Sequence, residues 1–573
     1  MKRFIGLFLA LVVCTGVLLP ATAVRAATSG ECGPNATWKF EDGTLTISGT
    51  GAVTFKEIPW YDHLTSIQRI VVEDGITSLG RYALTSCATS ISIPDSIRYM
   101  HQEACFNLYN GMASDFSQLE FEPGDPYSHY EDGKYLGNAN NPYLVLVSIE
   151  GESTEIKVHP DTKMILDWGY HKDVVISEGV TAIGEWTLYY APSSIQVNEK
   201  NPSFTTDDYG VLFNKDKTEL IKAPVDLSGS YTIPKGVKKI GSCAFYGCDL
   251  KEVTIPNSVE YIGTSAFAGC RIEEIVIPDS VKRIASCAFV DYRYSNSNRL
   301  TDITIGDGVT SIGFAAFFGA QNLENVTLGN NVKYIGSAAF TGNPFHGINE
   351  DILNIYEGGG YLGNERNPYV ALMKPVSENF GPESIHKNTK YISPGIFDDE
   401  YTVYGNAEYA GTAENPYEVL VRAVSEDITE CEIHPDTKVI DRCAFMNCKN
   451  LTEIEIPDGV IGIGTDAFSC CLNLRSVILP RSLEFIEALA FSGTYSLWEV
   501  TYKGSPKEWE NVYIEYLNDG LHVAGVTCTG QDKAEEEGAS ATDFGMWIWI
   551  AGGAVVGAAA VTVPIVVVKK KKK

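Results

Sequence analysis

The strongest constraint on the fold is a short motif that recurs along the chain at a nearly constant interval. In its clearest copy, residues 451–470, alternating apolar residues end in Ile-Pro, and Ile-Gly, Ala-Phe and Cys follow. Aligned on the aromatic residue, the copies place it at Phe245, Phe267, Phe289, Phe317, Phe340, Phe445, Phe468 and Phe491. Most neighbouring copies lie 22 or 23 residues apart. A unit this small cannot bury its own apolar face, so the period predicts a stack of coils that share one core.

The order of residues within the motif predicts the shape of each coil. Ile454 and Ile456 alternate with polar residues as in a short strand, and Pro457 ends that strand because proline has no N–H to donate. A second extended run closes at Gly464, and a helical or 3-10 turn is expected around Ala467 and Phe468. The fold class predicted is therefore an α/β, β-rich solenoid with 22–23 residues per coil, whose Ile and Phe residues form the core.

The two ends of the chain predict secretion and membrane anchoring. Basic Lys2 and Arg3, an apolar run and the small residues before Ala27 indicate a signal peptide over 1–26. Residues 546–568 carry no charge and are long enough for a single C-terminal transmembrane helix. The five lysines of 569–573 follow at once, so the positive-inside rule places this tail in the cytoplasm and the rest of the chain outside.

Between these ends the sequence divides into four predicted parts. A Thr-rich stretch with a Glu-Asp-Gly turn indicates a capping hairpin, and a Glu-, Gly-, Ala- and Ser-rich stretch indicates a tether. The predicted parts are the capping β-hairpin 27–59, the repeat solenoid with irregular insertions 60–499, the C-terminal cap 500–530 and the flexible linker 531–545.

The charge of the chain narrows the possible partners. The formal net charge is -29 at pH 7, and most basic residues outside the repeats lie at the two ends. Such an acidic ectodomain would be repelled by nucleic acid and by anionic membrane surfaces. A solvated acidic coat is the plainest interpretation of the charge, and attraction of basic host proteins or of Ca²⁺ is the alternative.

Seven of the 14 cysteines recur at fixed positions around the Ala-Phe pair. Residues in one register of adjacent coils lie near disulfide reach, so a bond between Cys248 and Cys270 is geometrically possible. Small buried wedges are the more common use of cysteine in a repeat. No short Cys-x2-Cys pair occurs, and the histidines are not interleaved with the cysteines, so no zinc site is expected.

A second, longer motif interrupts the first. Tyr-Leu-Gly-Asn followed by Asn-Pro-Tyr begins at Tyr135 and Tyr361, a looser copy begins at Tyr409, and each copy leads to a histidine. The histidines, in one register, are His159, His386 and His434. Their separation in sequence places them on distant coils, where they cannot bind one ion, so a turn-forming structural role is predicted.

No catalytic motif is found in the sequence. There is no Gly-x-Ser-x-Gly elbow, no His-Glu-x-x-His and no phosphate loop, so we expect no enzyme and no catalytic, cofactor-binding or metal site. Glycan binding through exposed tyrosines is an open alternative. The tyrosines considered for it are Tyr127, Tyr130, Tyr135, Tyr361 and Tyr404.

The Ile-Pro, Val, Ile-Gly, Ala-Phe, Gly-Cys motif resembles the BspA-like, or Treponema-type, leucine-rich repeat family of bacterial surface proteins. The resemblance covers roughly residues 60–512. The segment Tyr-Lys-Gly-Ser-Pro-Lys-Glu-Trp, which begins at Tyr502, is similar to a feature that accompanies these repeats. It implies a leucine-rich repeat solenoid at the cell surface that adheres to a host extracellular matrix or cell-surface protein, or to other cells. The membrane anchor is predicted from residues 546–573, an ending in which this chain departs from some relatives. A glycan-binding protein is the alternative, and a cell-wall enzyme or passive scaffold is less favoured.

Overall fold

The structure of the protein is a computed structural model, which describes residues 27–531 with gaps. The gaps are 56–57, 65, 86–87, 102–103, 105–125, 171, 185–186, 189–191, 291–298, 337, 344–346, 349–351, 378–383, 390, 393–400, 412–414, 516 and 525. The expected signal peptide 1–26, transmembrane helix 546–568 and lysine tail 569–573, with nearly all of the linker, lie outside the described residues. Among the described residues, no helix is long and apolar enough to cross a membrane.

The chain is a solenoid in which each regular coil contributes one strand to each of two parallel ladders. The long-strand ladders use the strand that precedes Ile-Pro, and the short-strand ladders use two-residue strands at the Ile-Gly position. In the middle array, residues 228–340, the long strands are Ser228–Thr232, Asp249–Thr254, Glu274–Ile277, Asp302–Ile305 and Asn325–Thr327. Its short strands are Lys239–Ile240, Tyr261–Ile262, Arg283–Ile284, Ser311–Ile312 and Tyr334–Ile335.

The C-terminal array, residues 424–514, repeats this arrangement. Its long-strand ladder contains Glu453–Glu455, Ser476–Leu479 and Glu499–Tyr502 and ends on Thr527–Cys528. Its short strands are Val439–Ile440, Gly462–Ile463, Phe485–Ile486 and Tyr513–Ile514. The cap predicted at 500–530 therefore continues both ladders, and helix in it is limited to Pro506–Trp509 and Asp519–Ala524.

The N-terminal coils follow the same plan behind the expected capping hairpin. The hairpin strands Ala36–Glu41 and Thr44–Gly49 are antiparallel, and the second pairs in parallel with the first long strand. The remaining strands of this part are Ser29–Glu31, Gly51–Val53, Arg69–Val72, Ile76–Leu79, Ser90–Ser92 and Tyr99–Met100, with a 3-10 turn at Tyr61–His63. A second set of coils uses Glu155–Lys157, Asp173–Ile176, Ser194–Val197, Met164–Ile165 and Ala182–Ile183.

An antiparallel hairpin begins each of four short-strand ladders. Three of these are the copies of the longer motif, and we call them the tyrosine hairpins. Their strands are Ser128–Tyr130, Gly133–Leu136 and Val145–Ile149; Asn354–Tyr356, Gly359–Leu362 and Ala371–Pro375; and Thr402–Tyr404, Ala407–Ala410 and Val419–Ala423. The fourth hairpin is Phe204–Thr206, Leu212–Asn214 and Glu219–Lys222, and the short pieces Thr341–Asn343, Gly347–Ile348 and Tyr391–Ile392 complete the strands.

The core is formed by the residues that the repeat predicts. Phe267 is 1% exposed and stacks between its equivalents in the two neighbouring coils, with ring centroids 5.0 Å away on each side. The same stack runs through the C-terminal array, where Phe468 lies 5.1 and 5.0 Å from its neighbours. Each coil therefore depends on the next for burial of its largest side chain.

The prediction of a helical or 3-10 turn at the Ala-Phe pair is wrong: a turn is present, but it is not helical. The residue two positions before each stacked phenylalanine has a left-handed backbone, as in Ser265 with φ 53°, which interrupts any helix. Successive backbone N–H groups alternate between two kinds of acceptor. One kind lies in the next coil, as when Phe245 N donates to Ala266 O at 2.7 Å. The other is the carbonyl three residues back, as when Cys248 N donates to Phe245 O at 3.1 Å. The segment is a hydrogen-bonded turn, and the array is a β-solenoid with few helices.

Candidate interaction surface

The outward face of the long-strand ladder in the middle array carries two columns of polar side chains. Successive residues of a strand point to opposite faces, so Ile275 and Ile303 enter the core while their neighbours face solvent. The strand pairings and the 22- and 23-residue spacings align these outward residues. The acidic column contains Ser230, Glu252, Glu274, Asp302 and Asn325. The threonine column contains Thr232, Thr254, Val276, Thr304 and Thr327.

These columns are accessible and incompletely neutralised. Val276 is 63% exposed and lies between the threonines of its column. Asp302 accepts a hydrogen bond from Asn325 Nδ2 at 2.6 Å, whereas Glu252 and Glu274 form no ion pair with any residue that the structure describes. The face therefore offers carboxylates, hydroxyls and one apolar side chain in a flat, regular pattern.

The equivalent ladder of the C-terminal array has a different character. Its outward acidic positions, Glu453 and Glu499, flank Ser476. In its second column Glu455 is bound by Lys503 Nζ at 2.9 Å, and Ile478 is partly buried. This face has the same strand geometry with part of its charge already neutralised, so it is a natural control for the middle array.

Each tyrosine hairpin contains the same aromatic cluster. In the third copy the Tyr409 hydroxyl accepts from His434 N at 3.1 Å, and the Tyr417 ring stacks on the His434 ring at 3.6 Å between centroids. The first and second copies repeat both contacts, with ring separations of 3.9 and 4.1 Å. The predicted turn role of the histidines is confirmed, because His434 Nδ1 accepts from Asp436 N two residues later at 3.2 Å.

The exposed tyrosines that glycan binding would need are not found at two of the positions considered. Tyr135 and Tyr361 are 1% and 0% exposed, since each lies under its own aromatic cluster. Tyr127, Tyr130 and Tyr404 are half-buried, and Tyr404 donates to Glu432 Oε1 at 2.6 Å. The prediction of an exposed tyrosine surface is wrong for Tyr135 and Tyr361, because their rings fill the hairpin core.

The cysteines act as small buried side chains rather than as a bonded pair. Cys248 Sγ donates to Pro224 O and Cys270 Sγ donates to Phe245 O, both at 3.3 Å, so the disulfide considered between them is not formed. Burial raises the pKa of the Cys243 and Cys248 thiols to about 12, which keeps both protonated. Within the described residues, no group of histidine, cysteine and acidic side chains could hold a metal ion.

A buried junction between the middle and C-terminal arrays was not predicted from the sequence. Arg283 Nη2 lies 3.1 Å from Glu487 Oε1 and 3.1 Å from Glu515 Oε1, and its guanidinium covers the Phe485 ring at 3.8 Å. Both glutamates occupy the position that is glycine in coils such as that of Gly464. These departures from the repeat are the signal that could have located the junction.

Further contacts extend this junction. Tyr261 and Tyr513 stack at 4.3 Å between centroids, Ser286 and Thr465 hydroxyls lie 3.1 Å apart, and the Arg442 guanidinium covers the Phe314 ring. At the rim lies a cleft of about 600 Å³ whose lining alternates in charge. Its charged residues are Glu260, Lys282, Arg283, Lys333, Arg481, Glu484, Glu508 and Glu510.

The N-terminal coils also contact the C-terminal array. Thr54 Oγ1 donates to Tyr495 O at 3.0 Å, and the Arg81 guanidinium contacts the Tyr495 hydroxyl and ring. These two residues are 441 and 414 positions from Tyr495 in sequence. The described coils are therefore joined at two places by contacts that no single coil could make.

Comparisons with known proteins agree with the repeat. The family model for the BspA type leucine rich repeat region matches in six copies, over residues 59–118, 226–343 and 424–516. None of the curated proteins matches the sequence.

Several solved structures of bacterial leucine-rich repeat proteins are similar to this chain. A leucine-rich repeat protein from Eubacterium ventriosum is 18% identical over 89% of this chain and 98% of its own, with a TM-score of 0.27. A leucine rich cell surface protein from Faecalibacterium prausnitzii is 19% identical over 69% and 98%, with a TM-score of 0.25. A leucine-rich repeat protein from Bacteroides ovatus is 18% identical over 72% and 100%, with a TM-score of 0.22.

Proposed function

Because this chain belongs to the BspA-type leucine-rich repeat family, we propose that it is a membrane-anchored surface protein that mediates adhesion by binding a partner protein. The partner is a host extracellular matrix or cell-surface protein. A stack of coils grows in one dimension and presents a long, regular face, which suits a macromolecular partner better than a small ligand. The anchoring part of the proposal is supported by the sequence of residues 546–573.

The observation that carries the proposal is the pair of outward columns on the middle array. Glu252 and Glu274 are exposed and form no ion pair with the described residues, and Val276 is 63% exposed between threonines. These side chains are held at regular spacings on a hydrogen-bonded ladder, so a partner protein could contact several of them at once. The core does not require these side chains, since their strands are already fixed by the inward residues.

The charge of this face indicates the chemistry of the partner. A partner surface rich in lysine or arginine would form ion pairs with the free carboxylates of the acidic column. The net charge of -29 on this chain would increase the association rate of such a partner. Exposed ion pairs are weak individually and are screened by salt, so several must form together. The proposed partner is therefore a protein with a basic surface, bound more tightly at low ionic strength.

The test is a binding screen of residues 27–531 against immobilised matrix proteins and a glycan array, at several salt concentrations, with and without Ca²⁺. We expect saturable binding to at least one matrix protein and a weaker interaction as salt rises. For that partner, the double variant Glu252→Gln, Glu274→Gln should lower affinity about tenfold, which corresponds to about 1.4 kcal/mol. It should also reduce the salt dependence, because two charged contacts are lost.

The matched control is the double variant Glu453→Gln, Glu499→Gln. It removes the same charge from equivalent strand positions of the C-terminal array. Equal loss of affinity in both double variants would show that net charge matters and the middle ladder does not. Binding confined to glycans would contradict the proposal and favour the alternative.

A further inference from the structure

The two arrays meet at a buried site where the formal charges do not balance. Arg283 is 2% exposed, and the side chains of Glu487 and Glu515 are 0% exposed, yet both carboxylates approach the same Arg283 Nη2 atom. One guanidinium cannot neutralise two buried carboxylates, and an excess buried charge is costly. A stable junction therefore needs a proton on one of the two carboxyl groups.

The hydrogen bonds indicate which carboxyl group holds that proton. Glu487 Oε2 accepts from Thr465 N at 2.9 Å and from Thr465 Oγ1 at 2.8 Å, so its ionised form is well satisfied. Glu515 Oε2 is buried without any hydrogen-bond partner among the described residues. Burial raises the pKa of Glu515 to about 7; Arg283 and, more weakly, the Ala488 N–H oppose this rise, and the Glu487 charge adds to it. Glu515 is the protonated member.

A second buried carboxyl group lies on the C-terminal array. Asp441 occupies the glycine position of its coil, is 6% exposed, and leaves Oδ1 without a partner among the described residues. Burial, with the Glu487 charge as a smaller cause, raises the pKa of Asp441 to about 6. The ion pairs of Arg283 that join the two arrays are with Glu487 and Glu515, so Asp441 belongs to the surroundings of the junction and not to its ion pairs.

The groups that face Glu515 come from both arrays. From the middle array they are Arg283 and Tyr261, whose pKa burial raises well above its usual range, so it stays neutral. From the C-terminal array they are Glu487 and Tyr513, with the pKa of Tyr513 raised by burial to about 12. Farther out, Glu260 from the middle array faces Tyr513, and Lys333 pairs with Glu484 across the arrays at 3.6 Å. Among these groups, burial brings the pKa of Glu515 itself close to neutral.

We propose that this junction is a proton-dependent latch, which holds the middle and C-terminal arrays together in acid and loosens as the pH rises to neutrality and above. The glutamate binds its proton more tightly in the closed junction than in water. The stabilisation is therefore complete below pH 4.5, the ordinary pKa, and is lost as the pH rises to about 7. The shift weakens closing on the order of 100-fold across this window.

Release of the latch would change the surface that the protein presents. The closed junction covers Tyr261 and Phe485, which are 2% and 1% exposed, together with Arg283. An open junction would expose these side chains and the outward faces of both short-strand ladders. The coils themselves need not unfold, because their core stacks lie within each array.

Hydroxyl-radical footprinting with mass spectrometry tests the latch on the full chain in detergent. Between pH 5 and pH 8.5, we expect oxidation of Tyr261 and Phe485 to rise at least threefold. Phe267, inside the middle array, is the internal control and should stay protected at both values. Protection of Tyr261 at every pH would overturn the proposal, as would equal oxidation of Phe267, which would mean unfolding.

Two variants separate the latch from general charge effects. Glu515→Gln keeps the shape of the side chain without its charge, so it should remain closed from pH 5 to pH 8.5. Glu510→Gln removes an exposed charge at the rim of the cleft and should open like the wild type. A Glu515→Gln variant that opens as the wild type does would rule out Glu515 as the proton-binding group.

Discussion

The regular coils and the tyrosine hairpins are both repeated, but they obtain their stability in different ways. In a coil the largest side chain, such as Phe267, contacts the equivalent residue of each neighbouring coil. In a hairpin the aromatic residues contact one another within the same copy, as Tyr409, Tyr417 and His434 do. A coil is therefore incomplete without neighbours, whereas a hairpin carries its own small core. This explains why hairpins occur where a short-strand ladder begins.

The largest effect should follow a change that breaks contact between coils. Ala266 is 0% exposed, and its carbonyl accepts from Phe245 N in the preceding coil. Ala266→Asp would bury an unpaired charge there and should destabilise the array by more than about 4 kcal/mol. Denaturant unfolding followed by circular dichroism measures the change, and several coils should unfold together.

Val276→Asp is the matched control for that variant. It places the same side chain on the exposed face of the neighbouring long strand, and should alter stability by no more than about 0.5 kcal/mol. Equal stability of the two variants would show that the register of the coils is wrong.

A smaller and more local effect is expected in a hairpin. Tyr409→Phe removes the hydroxyl that accepts from His434 N at 3.1 Å and leaves this N–H group unsatisfied. The cost should be about 1–2 kcal/mol. Hydrogen exchange should show faster exchange at His434 and unchanged protection around Phe468. Loss of protection throughout the C-terminal array would contradict the self-contained character of the hairpin.

The smallest effect should come from the histidine of the same hairpin. His434→Asn keeps an acceptor for Asp436 N, because asparagine forms the same type of turn, but it removes the ring that stacks on Tyr417. The expected cost is about 0.5–1.5 kcal/mol, the typical value of an aromatic pair. His434→Ala, which loses both contacts, should cost more in the same unfolding measurement. If the two variants were equally stable, the turn would contribute nothing.

The sequence predicted the features that the repeat determines locally. The strand that ends at Pro457, the stacked phenylalanines and the capping hairpin all follow from periodicity and turn residues. The helical turn was the local error, since the left-handed residue at Ser265 and its equivalents is not a glycine in any of the aligned copies. Because these positions carry ordinary side chains, the sequence did not indicate a left-handed backbone there.

The contacts between arrays could not be predicted in the same way. They depend on the rotation of each coil relative to the next, which the sequence of a single coil does not specify. Glu487 and Glu515 stood out only as replacements of glycine, and they lie 204 and 232 residues from Arg283 in sequence. Likewise, the outward columns required the pairing register before Glu252 and Glu274 could be placed on one face.

The contact between Thr54 and Tyr495 has a consequence for the order of events during synthesis. A ribosome adds roughly 5–20 residues each second, so the 441 residues between them take about 20–90 s to produce. Throughout that interval the N-terminal coils must persist on contacts with their immediate neighbours alone. The capping hairpin, the first part to emerge after residue 26, covers one end of this nascent stack. The side of the stack that contacts Tyr495 in the finished protein stays uncovered until the C-terminal array has been synthesised.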